Sequence, residues 1–353
     1  MKPYFEQHEK TLNVQLLVIL LVELAQQRGV HADKILKGTK LFSQDLSRAN
    51  VLLSHAQVAR LIENTCKYLP QADVPFLIGS RVFPQYLGNV GQALFHSPNI
   101  ETMLRISKLF HHVLFPFQFM KSVRTQDHQY LIFNPAISME NTTYRRFMNE
   151  LLVSFLMSIA KQRGILLNQI EVRFPYQKPQ HIEQYQVYLP CKYHFLASAK
   201  EMFAPLQIKF SQSLLKKPFE QSNKILTHHS IKKIQGRQTK TSFLQFVMQL
   251  VYSRVATQKE VSLEWLAAHL VMSPATLKRK LSAHGISFQQ LHDMMRQQQA
   301  VFLLTEQGLN NEKVASRLNF SDITNFRRSF KRWTGMTPSH FQQTLARVEV
   351  NLD

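Results

Sequence analysis

Residues 263–281 read LEWLAAHLVMSPATLKRKL, and residues 312–330 read EKVASRLNFSDITNFRRSF. The two stretches repeat one pattern of apolar and basic residues. Three pairs recur at one offset: Leu266/Val314, Ala267/Ala315 and Leu270/Leu318. Three more recur at an offset one residue longer: Leu277/Phe326, Arg279/Arg328 and Leu281/Phe330. Because the extra residue falls in a turn, each stretch predicts a short helix, a tight turn and a basic helix.

Each basic helix has its own start signal. Ser273-Pro274 supplies an N-cap and a proline at the first helical position, and Gly285 ends that helix. In the second copy the turn lies at Asn319-Phe320, and Ser321 or Asp322 caps the following helix. These signals predict that each basic stretch is a separate helix.

A third helix lies between the two copies. Residues 287–306 carry apolar side chains at helical spacing. A helix of about 20 residues is ~30 Å long, and successive major grooves on one face of DNA are roughly 34 Å apart. Such a rod could therefore hold two basic helices in two successive grooves. A plain helical bundle with basic exposed faces is the alternative, and the repetition of cores, caps and basic faces argues against it.

The charge of the chain favours a polyanionic partner. The 353 residues are enough for two domains, and they carry a net charge of +20 that is densest after residue 221. Nucleic acid is the first candidate partner and an acidic membrane the second. A basic enzyme is the other reading. The chain has no G-x-G-x-x-G, G-x-x-x-x-G-K or G-x-S-x-G motif and only 23 acidic residues, so we expect no catalytic function.

Cysteine usage and hydropathy indicate the cellular compartment of the protein. Cys66 and Cys191 form no CxxC pair, so we expect neither a metal site nor a cofactor, and two isolated cysteines fit a reducing cytoplasm. The apolar stretch from Val14 to Ala25 is shorter than the roughly 20 residues that span a bilayer, and it contains Glu23. We expect no membrane partner, and a buried helix or a homodimer contact at this stretch.

The first part of the chain mixes helices and strands. A helix is predicted from Leu12 to Arg28, a β-hairpin over 115–135, and a long helix through residues 144–159. Residues 169–174 and 206–210 alternate as strands do. The basic stretch 220–240 predicts a linker. The sequence thus predicts an α+β domain over 1–219, the linker, an all-α domain over 241–345 and a tail over 346–353.

The segment from Val314 to Phe341 resembles the signature of the AraC/XylS family of bacterial transcription regulators. Its matching elements are Val314-Ala315, Phe320, Phe326, Phe330-Lys331-Arg332, Gly335, Thr337-Pro338 and Phe341. The first copy and the connecting helix, with Arg296, Ala300 and Leu303-Leu304, are similar to the rest of that family's DNA-binding domain. Asn319 stands where the family usually has Gly, and Gln342 replaces a frequent Arg. Because Asn tolerates a positive φ next best after Gly, we expect the turn to form.

The N-terminal part resembles a subgroup of the same family. The similar segments are Gly88-Asn89-Val90-Gly91, Ser97-Pro98-Asn99, Val172-Arg173-Phe174-Pro175, Tyr185, Cys191 and Phe195. The resemblance implies an arabinose-binding-like effector and dimerisation domain, without implying that arabinose is the ligand. The expected fold is an α+β N-terminal domain followed by an all-α DNA-binding domain with two helix-turn-helix motifs joined by a long helix.

The resemblance places DNA contacts on the two basic helices. The implied base-reading positions are Ala275, Thr276, Lys278, Arg279, Ile323, Thr324, Asn325 and Arg328. Their chemistry agrees, since Lys and Arg donate to guanine, Asn pairs with adenine, and Ala, Thr or Ile meet a thymine methyl. The positions expected on phosphates are Lys280, Arg327, Lys331 and Arg332. We expect Arg296 to be a structural anchor.

An effector site is expected in the N-terminal domain, whose Phe and Tyr side chains are numerous enough to line an apolar pocket. Core packing is the alternative explanation of the same residues. His112, Tyr130 and Arg173 are the polar candidates for the pocket mouth, and a small, partly apolar metabolite is the expected ligand. The predicted function is a cytoplasmic, sequence-specific regulator of transcription. We expect an activator, because members of such families are more often activators. Its expected partners are promoter DNA, RNA polymerase, an effector and a second copy of the chain. A general nucleic-acid-binding or nucleoid-type protein is the alternative.

Overall fold

A computed structural model describes residues 3–12, 15–48, 51–136, 142–196, 204–234 and 240–343. The predicted tail over 346–353 and residues 235–239 of the predicted linker lie outside this part of the chain. The described residues form an α+β N-terminal part followed by a mainly helical C-terminal part, which confirms the predicted fold class.

The N-terminal part begins with helices packed on one another. They are α1 (Gln15–Gln27), α2 (Ala32–Leu36), α3 (His55–Tyr68), α4 (Val74–Val82), α5 (Gly88–Phe95), α6 (Ile100–Leu109) and α7 (His111–Leu114). Two further helices come later in the chain, α8 (Thr142–Gln162) and α9 (Ile182–Tyr188). The predicted apolar helix is α1, whose Val18, Leu21 and Ala25 are fully buried within this chain. Ser54 caps α3 and Asn99 caps α6, each accepting from a backbone N–H three residues on.

A five-stranded sheet packs against these helices. Its strands are β2 (Gln118–Arg124), β3 (His128–Pro135), β4 (Ile170–Phe174), β5 (Lys192–Phe195) and β6 (Leu206–Ser211), in the order β2-β3-β6-β4-β5. Only β4 and β5 run parallel; the other neighbours are antiparallel. The predicted hairpin is confirmed as β2–β3, and both predicted single strands are confirmed as β4 and β6.

Two glycines allow close contacts that position the helices. Helix α4 crosses α8 at Gly79, where a Cβ would lie 2.3 Å from the carbonyl oxygen of Leu151. The crossing is held by Ser154, whose hydroxyl donates to the carbonyl of Phe76 at 2.7 Å. A Cβ on Gly91 would lie 2.1 Å from the carbonyl oxygen of Pro84. A larger residue at either position would force the backbones apart.

The predicted linker over 220–240 is partly wrong. Its centre forms helix α10 (Lys224–Ile234), which packs against α5. Ile231 and Ile234 lie half-buried against the N-terminal core, so this segment is a packed helix in spite of its polar composition. Ile225 and Leu226 face outward.

The C-terminal part is helical, with one short strand at its start. After β7 (Thr241–Ser242) come α11 (Phe243–Ala256), α12 (Leu263–His269), α13 (Pro274–Ala283), α14 (Phe288–Thr305), α15 (Asn311–Arg317) and α16 (Ile323–Thr334). One core joins them, with Leu266, Leu277, Leu291, Val314 and Phe326 each fully buried.

The N-terminal segment of the chain completes the C-terminal part. Strand β1 (Tyr4–Phe5) pairs in parallel with β7. The Tyr4 ring packs edge-on against Phe243 with 5.2 Å between centroids, and it is 3% exposed within the C-terminal core. The two parts are therefore packed through core contacts as well as through surface contacts. Among the described residues, no helix has the length and apolarity to cross a bilayer.

Candidate nucleic-acid interface

Helices α12 and α13 form the first helix-turn-helix unit. Ser273 caps α13 by accepting from the N–H of Thr276 at 3.2 Å, and Pro274 occupies the first helical position. Leu277 and Leu281 face the core and are fully buried. Because the apolar side of α13 is covered, its opposite side is left for solvent or a partner.

Helices α15 and α16 form the second unit. Asp322 is the cap, accepting from the N–H of Asn325 at 2.7 Å, so of the two predicted cap residues it is the one used. That hydrogen bond is the main reason that the pKa of Asp322 is lowered. Phe326, Phe330 and Trp333 are buried, and the helix ends at Gly335 with a φ of 78°.

The two turns have the same backbone conformation. Asn319 has a φ of 52°, so the turn with Asn in place of Gly forms as predicted. Val271 occupies the equivalent position of the first unit with a φ of 54°, and its side chain is 93% exposed. A β-branched residue in this region is strained, which the sequence comparison of the two copies did not reveal.

Helix α14 joins the two units and is fixed to the second by an arginine. Its 18 residues make a rod of about 27 Å. The Arg296 guanidinium donates to the carbonyl of Leu318 at 2.7 Å and lies 3.7 Å from the centroid of the Phe320 ring. Burial lowers the Arg296 pKa. These contacts support the expected anchoring role.

The predicted base-reading side chains lie on the open sides of α13 and α16. Six of them are exposed: Ala275, Lys278, Arg279, Thr324, Asn325 and Arg328. Thr276 and Ile323 are half-buried. The structure thus places four of these residues together on each of the two helices.

Two of these polar groups make hydrogen bonds with residues just before their own helix. The amide nitrogen of Asn325 donates to Ser321 at 2.8 Å and to Asp322 at 2.7 Å. The hydroxyl of Thr276 lies 2.9 Å from that of Ser273. Asn325 must therefore exchange at least one hydrogen bond before its nitrogen donates to a base.

The four predicted phosphate-binding residues differ in their surroundings. Arg327 and Lys331 are exposed, and Arg332 donates to Asp293 at 3.0 Å while remaining 58% exposed. Lys280 departs from the prediction. Its ammonium forms an ion pair with Glu6 and lies over the rings of Tyr4 and Phe243. In this conformation it holds the N-terminal segment, because a half-buried carboxylate and two rings attract it more strongly than open solvent.

The three predicted effector residues are not at the mouth of an apolar pocket. Tyr130 is buried and donates from its hydroxyl to Glu306, just after α14, and burial is the main cause of its raised pKa. Arg173 donates to Glu171 at 2.8 Å beside a polar cleft between the two parts of the chain. His112 stands on α7, where burial lowers its pKa to about 4. The alternation of strand residues accounts for the first two, since both are on the sheet face that meets the C-terminal part.

The N-terminal domain does contain an apolar cavity. It has a volume of about 90 Å³ and lies between the sheet and helices α5 to α8. Its wall includes Leu94, Met103, Met120, Leu131, Phe155 and Ile208. Neither His112 nor Tyr130 nor Arg173 belongs to this wall, and Ser107 is the polar side chain there.

No group of three or more His, Cys, Asp or Glu side chains among the described residues could hold a metal ion. Burial raises the pKa of Cys66 to about 11 and that of Cys191 to about 12, which keeps both thiols protonated at neutral pH.

Comparisons with known proteins cover both parts of the chain. Residues 29–217 match the family model of the N-terminal arabinose-binding domain of AraC transcription regulator, and residues 266–344 match a helix-turn-helix domain. The ornithine utilization regulator of Pseudomonas aeruginosa is 24% identical over 330 residues, covering 92% of this chain and 94% of that protein. GadX of Escherichia coli is 28% identical over 116 residues, covering 30% of this chain and 42% of GadX.

One solved structure covers most of the chain. The transcriptional regulator CdpR from Pseudomonas aeruginosa aligns with 92% of this chain and 97% of its own, at 18% identity and a TM-score of 0.44.

Proposed function

Since this chain belongs to the AraC family of transcription regulators, we propose that it binds promoter DNA sequence-specifically through α13 and α16. The observation that carries the proposal is the pairing of two capped helices, each with a buried apolar side and an exposed polar side, on the rod α14. A rod of about 27 Å suits two helices in successive major grooves.

The base-reading residues follow from chemistry and exposure. Lys278, Arg279 and Arg328 donate to guanine O6 and N7, and Asn325 pairs with adenine after releasing a hydrogen bond to its cap. The carbon atoms of Ala275, Thr276, Ile323 and Thr324 contact thymine methyl groups. The two helices present different groups, so the proposed site is asymmetric and a single chain need not read a palindrome.

Phosphate contacts add affinity without sequence information. Arg327, Lys331 and Arg332 are the proposed donors. Arg332 also forms an ion pair with Asp293. Lys280 joins them only if its ion pair with Glu6 opens.

The remaining features of the regulator are also proposed. It acts as an activator that contacts RNA polymerase in the cytoplasm, where its DNA lies, and it carries out no catalysis. Its N-terminal domain senses a small metabolite. The apolar side chains of α1 are buried within this chain, so they form core rather than a dimer contact.

The main alternative is a general nucleic-acid-binding protein. The net charge of +20 fits that function too, but it would not require two capped helices with different exposed groups. Genomic binding sites identified by chromatin immunoprecipitation would supply promoter fragments. A salt titration of the purified full chain against such a fragment and against scrambled DNA then separates the two functions. A specific regulator keeps a large affinity ratio at physiological salt, on the order of 10³ or more, whereas a general binder approaches a ratio of one.

A further inference from the structure

The five-stranded sheet separates two different environments. Successive residues of a strand point to opposite faces, and residues paired across strands share a face. Met120 of β2, Leu131 of β3 and Ile208 of β6 point to the face that lines the apolar cavity. Their neighbours in sequence point to the face that meets the C-terminal domain.

The second face makes specific contacts with the DNA-binding domain. Phe119 is part of the C-terminal core, and the Lys121 ammonium lies 3.6 Å from the centroid of the Tyr252 ring. Asn134 and Gln298 exchange hydrogen bonds between their side-chain amides, one of them at 2.6 Å. With the bond from Tyr130 to Glu306, two of these contacts reach α14 or the residue that follows it.

The β2–β3 hairpin therefore contacts the cavity on one side and the rod between the helix-turn-helix units on the other. We propose that the cavity is the effector site, that it takes an uncharged and largely apolar small molecule, and that the hairpin transmits its occupancy to α14. This inference rests on the proposed function as a metabolite-sensing regulator, and it names the ligand class and the route.

The composition of the wall determines the ligand class. The lining side chains are Leu, Ile, Met, Phe and Ala with a single serine, Ser107, which is 8% exposed. No charged side chain lies on the wall, so a carboxylate or an ammonium would lose its hydration without compensation. A hydrocarbon or an aromatic ring enters an apolar cavity of this kind without that penalty.

The route follows from close packing. A ligand that fills the cavity pushes on Met120 and Leu131, and a packed strand moves as a unit rather than compressing. Lys121, which follows Met120, and Tyr130, which precedes Leu131, then shift against α11 and the end of α14. A small rotation of α14 changes the relative placement of α13 and α16, on which simultaneous occupation of two grooves depends.

Binding is tested on the full chain with benzene as the uncharged probe and benzoate as its charged counterpart. Saturating benzene should raise Tm by roughly 3–8 °C, and benzoate should leave it unchanged. Ala160→Leu fills the cavity from α8 and should abolish the shift, whereas Lys161→Leu adds the same side chain on the exposed side of α8 and should retain it. Xenon-pressurised crystals of the unsubstituted protein give an answer that needs no variant, and xenon density should lie in the cavity. An unchanged Tm with benzene, or an empty cavity under xenon, would overturn the proposed site.

Transmission is tested by DNA affinity with and without benzene. We expect roughly a fivefold change or more in promoter affinity. Tyr130→Phe, which loses the hydroxyl that donates to Glu306, should reduce that change while keeping the Tm shift with benzene. Benzene binding that leaves promoter affinity unchanged would overturn the route. Selective binding of promoter over scrambled DNA is measured without any probe, so a failure of the proposed function is seen separately from a failure of this inference.

Discussion

The side-chain amide of Asn319 donates a hydrogen bond to the carbonyl oxygen of Gln258, with 2.7 Å between nitrogen and oxygen. The bond joins the turn of the second helix-turn-helix unit to the loop that precedes the first. Both residues have positive φ, 52° and 57°. The two units are thus connected by a turn-to-loop contact as well as by α14, which explains why Asn is suitable where glycine would supply only the conformation.

Substitutions of Asn319 should separate its conformation from its hydrogen bond. Asn319→Gly keeps the positive φ and loses the bond, so we expect a loss of about 0.5–1 kcal/mol. Asn319→Ala loses the bond and adds left-handed strain, so the loss should be larger by about 1 kcal/mol. Urea denaturation followed by circular dichroism measures both. Equal midpoints for the alanine variant and the unsubstituted protein would contradict the assignment.

Val271 should be a position where glycine stabilises the protein. A β-branched residue at a φ of 54° carries strain of about 1–2 kcal/mol. Glycine relieves this strain, but it costs about 0.5–1 kcal/mol in backbone entropy on folding. Val271→Gly should therefore raise the unfolding free energy by about 0.5–1 kcal/mol, measured by urea denaturation. The control is Ala268→Gly, at an exposed position three residues earlier in α12, which should lower it by about 1 kcal/mol. A loss of stability in both variants would show that the Val271 turn is not strained.

Arg279 and Lys331 should differ in the kind of DNA affinity that they support. Arg279→Ala should lose about 1–3 kcal/mol on the promoter, concentrated at one base pair, because its guanidinium is the proposed donor to guanine. Lys331→Ala should weaken promoter and scrambled DNA alike, because phosphates are the same everywhere. Fluorescence anisotropy on a set of single-base-pair promoter variants measures both. Equal losses on promoter and scrambled DNA for Arg279→Ala would remove it from the base-reading set.

The ion pair between Lys280 and Glu6 should reduce the number of phosphates that the protein neutralises. Glu6→Gln leaves Lys280 without its carboxylate, so one more cation becomes available to DNA. The slope of log Kobs against log salt should then steepen by about 0.9. Glu9→Gln is the matched control: its side chain accepts from the Glu6 N–H, and the amide oxygen can still accept. An identical slope in Glu6→Gln and in the unsubstituted protein would mean that Lys280 stays docked on Tyr4 and Phe243.

His55 should make stability fall in mild acid. Burial is the main cause that lowers its pKa to about 4; the Pro116 carbonyl, 2.9 Å from its Nε2, raises the pKa, and His284 lowers it. The unfolded chain therefore binds a proton below about pH 6.5 that the folded chain refuses until about pH 4. The contribution of the neutral His55 ring to the free energy of unfolding is fully present above pH 6.5. It is lost as the pH falls towards 4, which lowers the free energy of unfolding by roughly 2–3 kcal/mol.

The variant His55→Gln keeps a donor for the Pro116 carbonyl and has no proton to gain. The difference in unfolding free energy between this variant and the unsubstituted protein should shrink or reverse between pH 6.5 and pH 4. Urea titrations at several pH values measure it. Parallel pH profiles for the two proteins would show that His55 does not titrate in this range.

The parts of the fold that were predicted are those encoded by local pattern. The Ser-Pro cap at Ser273, the periodic apolar residues of α8 and the alternation of β4 each depend on neighbours within a few residues, and each is present in the structure. The linker prediction was partly wrong because composition describes a segment without its surroundings. Helix α10 forms where Ile231 and Ile234 meet the N-terminal core, and the sequence of α10 alone does not contain that surface.

The DNA-contact positions on α13 and α16 were implied by the resemblance to the AraC/XylS family, and they are next to one another along each helix. The position of Lys280 was not predicted, because its partner Glu6 lies at the other end of the chain. Tyr130 and Arg173 were placed at a pocket mouth because they are polar residues in an aromatic domain. The register of β3, β6 and β4 instead directs them to the opposite face of the sheet, and register depends on pairing between distant strands.

The place of Tyr4 in the C-terminal core has a consequence for synthesis. On the ribosome Tyr4 emerges long before Phe243, against which its ring packs. The nascent chain therefore carries an uncovered aromatic side chain while the whole N-terminal domain is translated. The core of the C-terminal part closes only when Tyr4 and residues after Phe243 are both present, so its helices assemble around a residue that was made long before them.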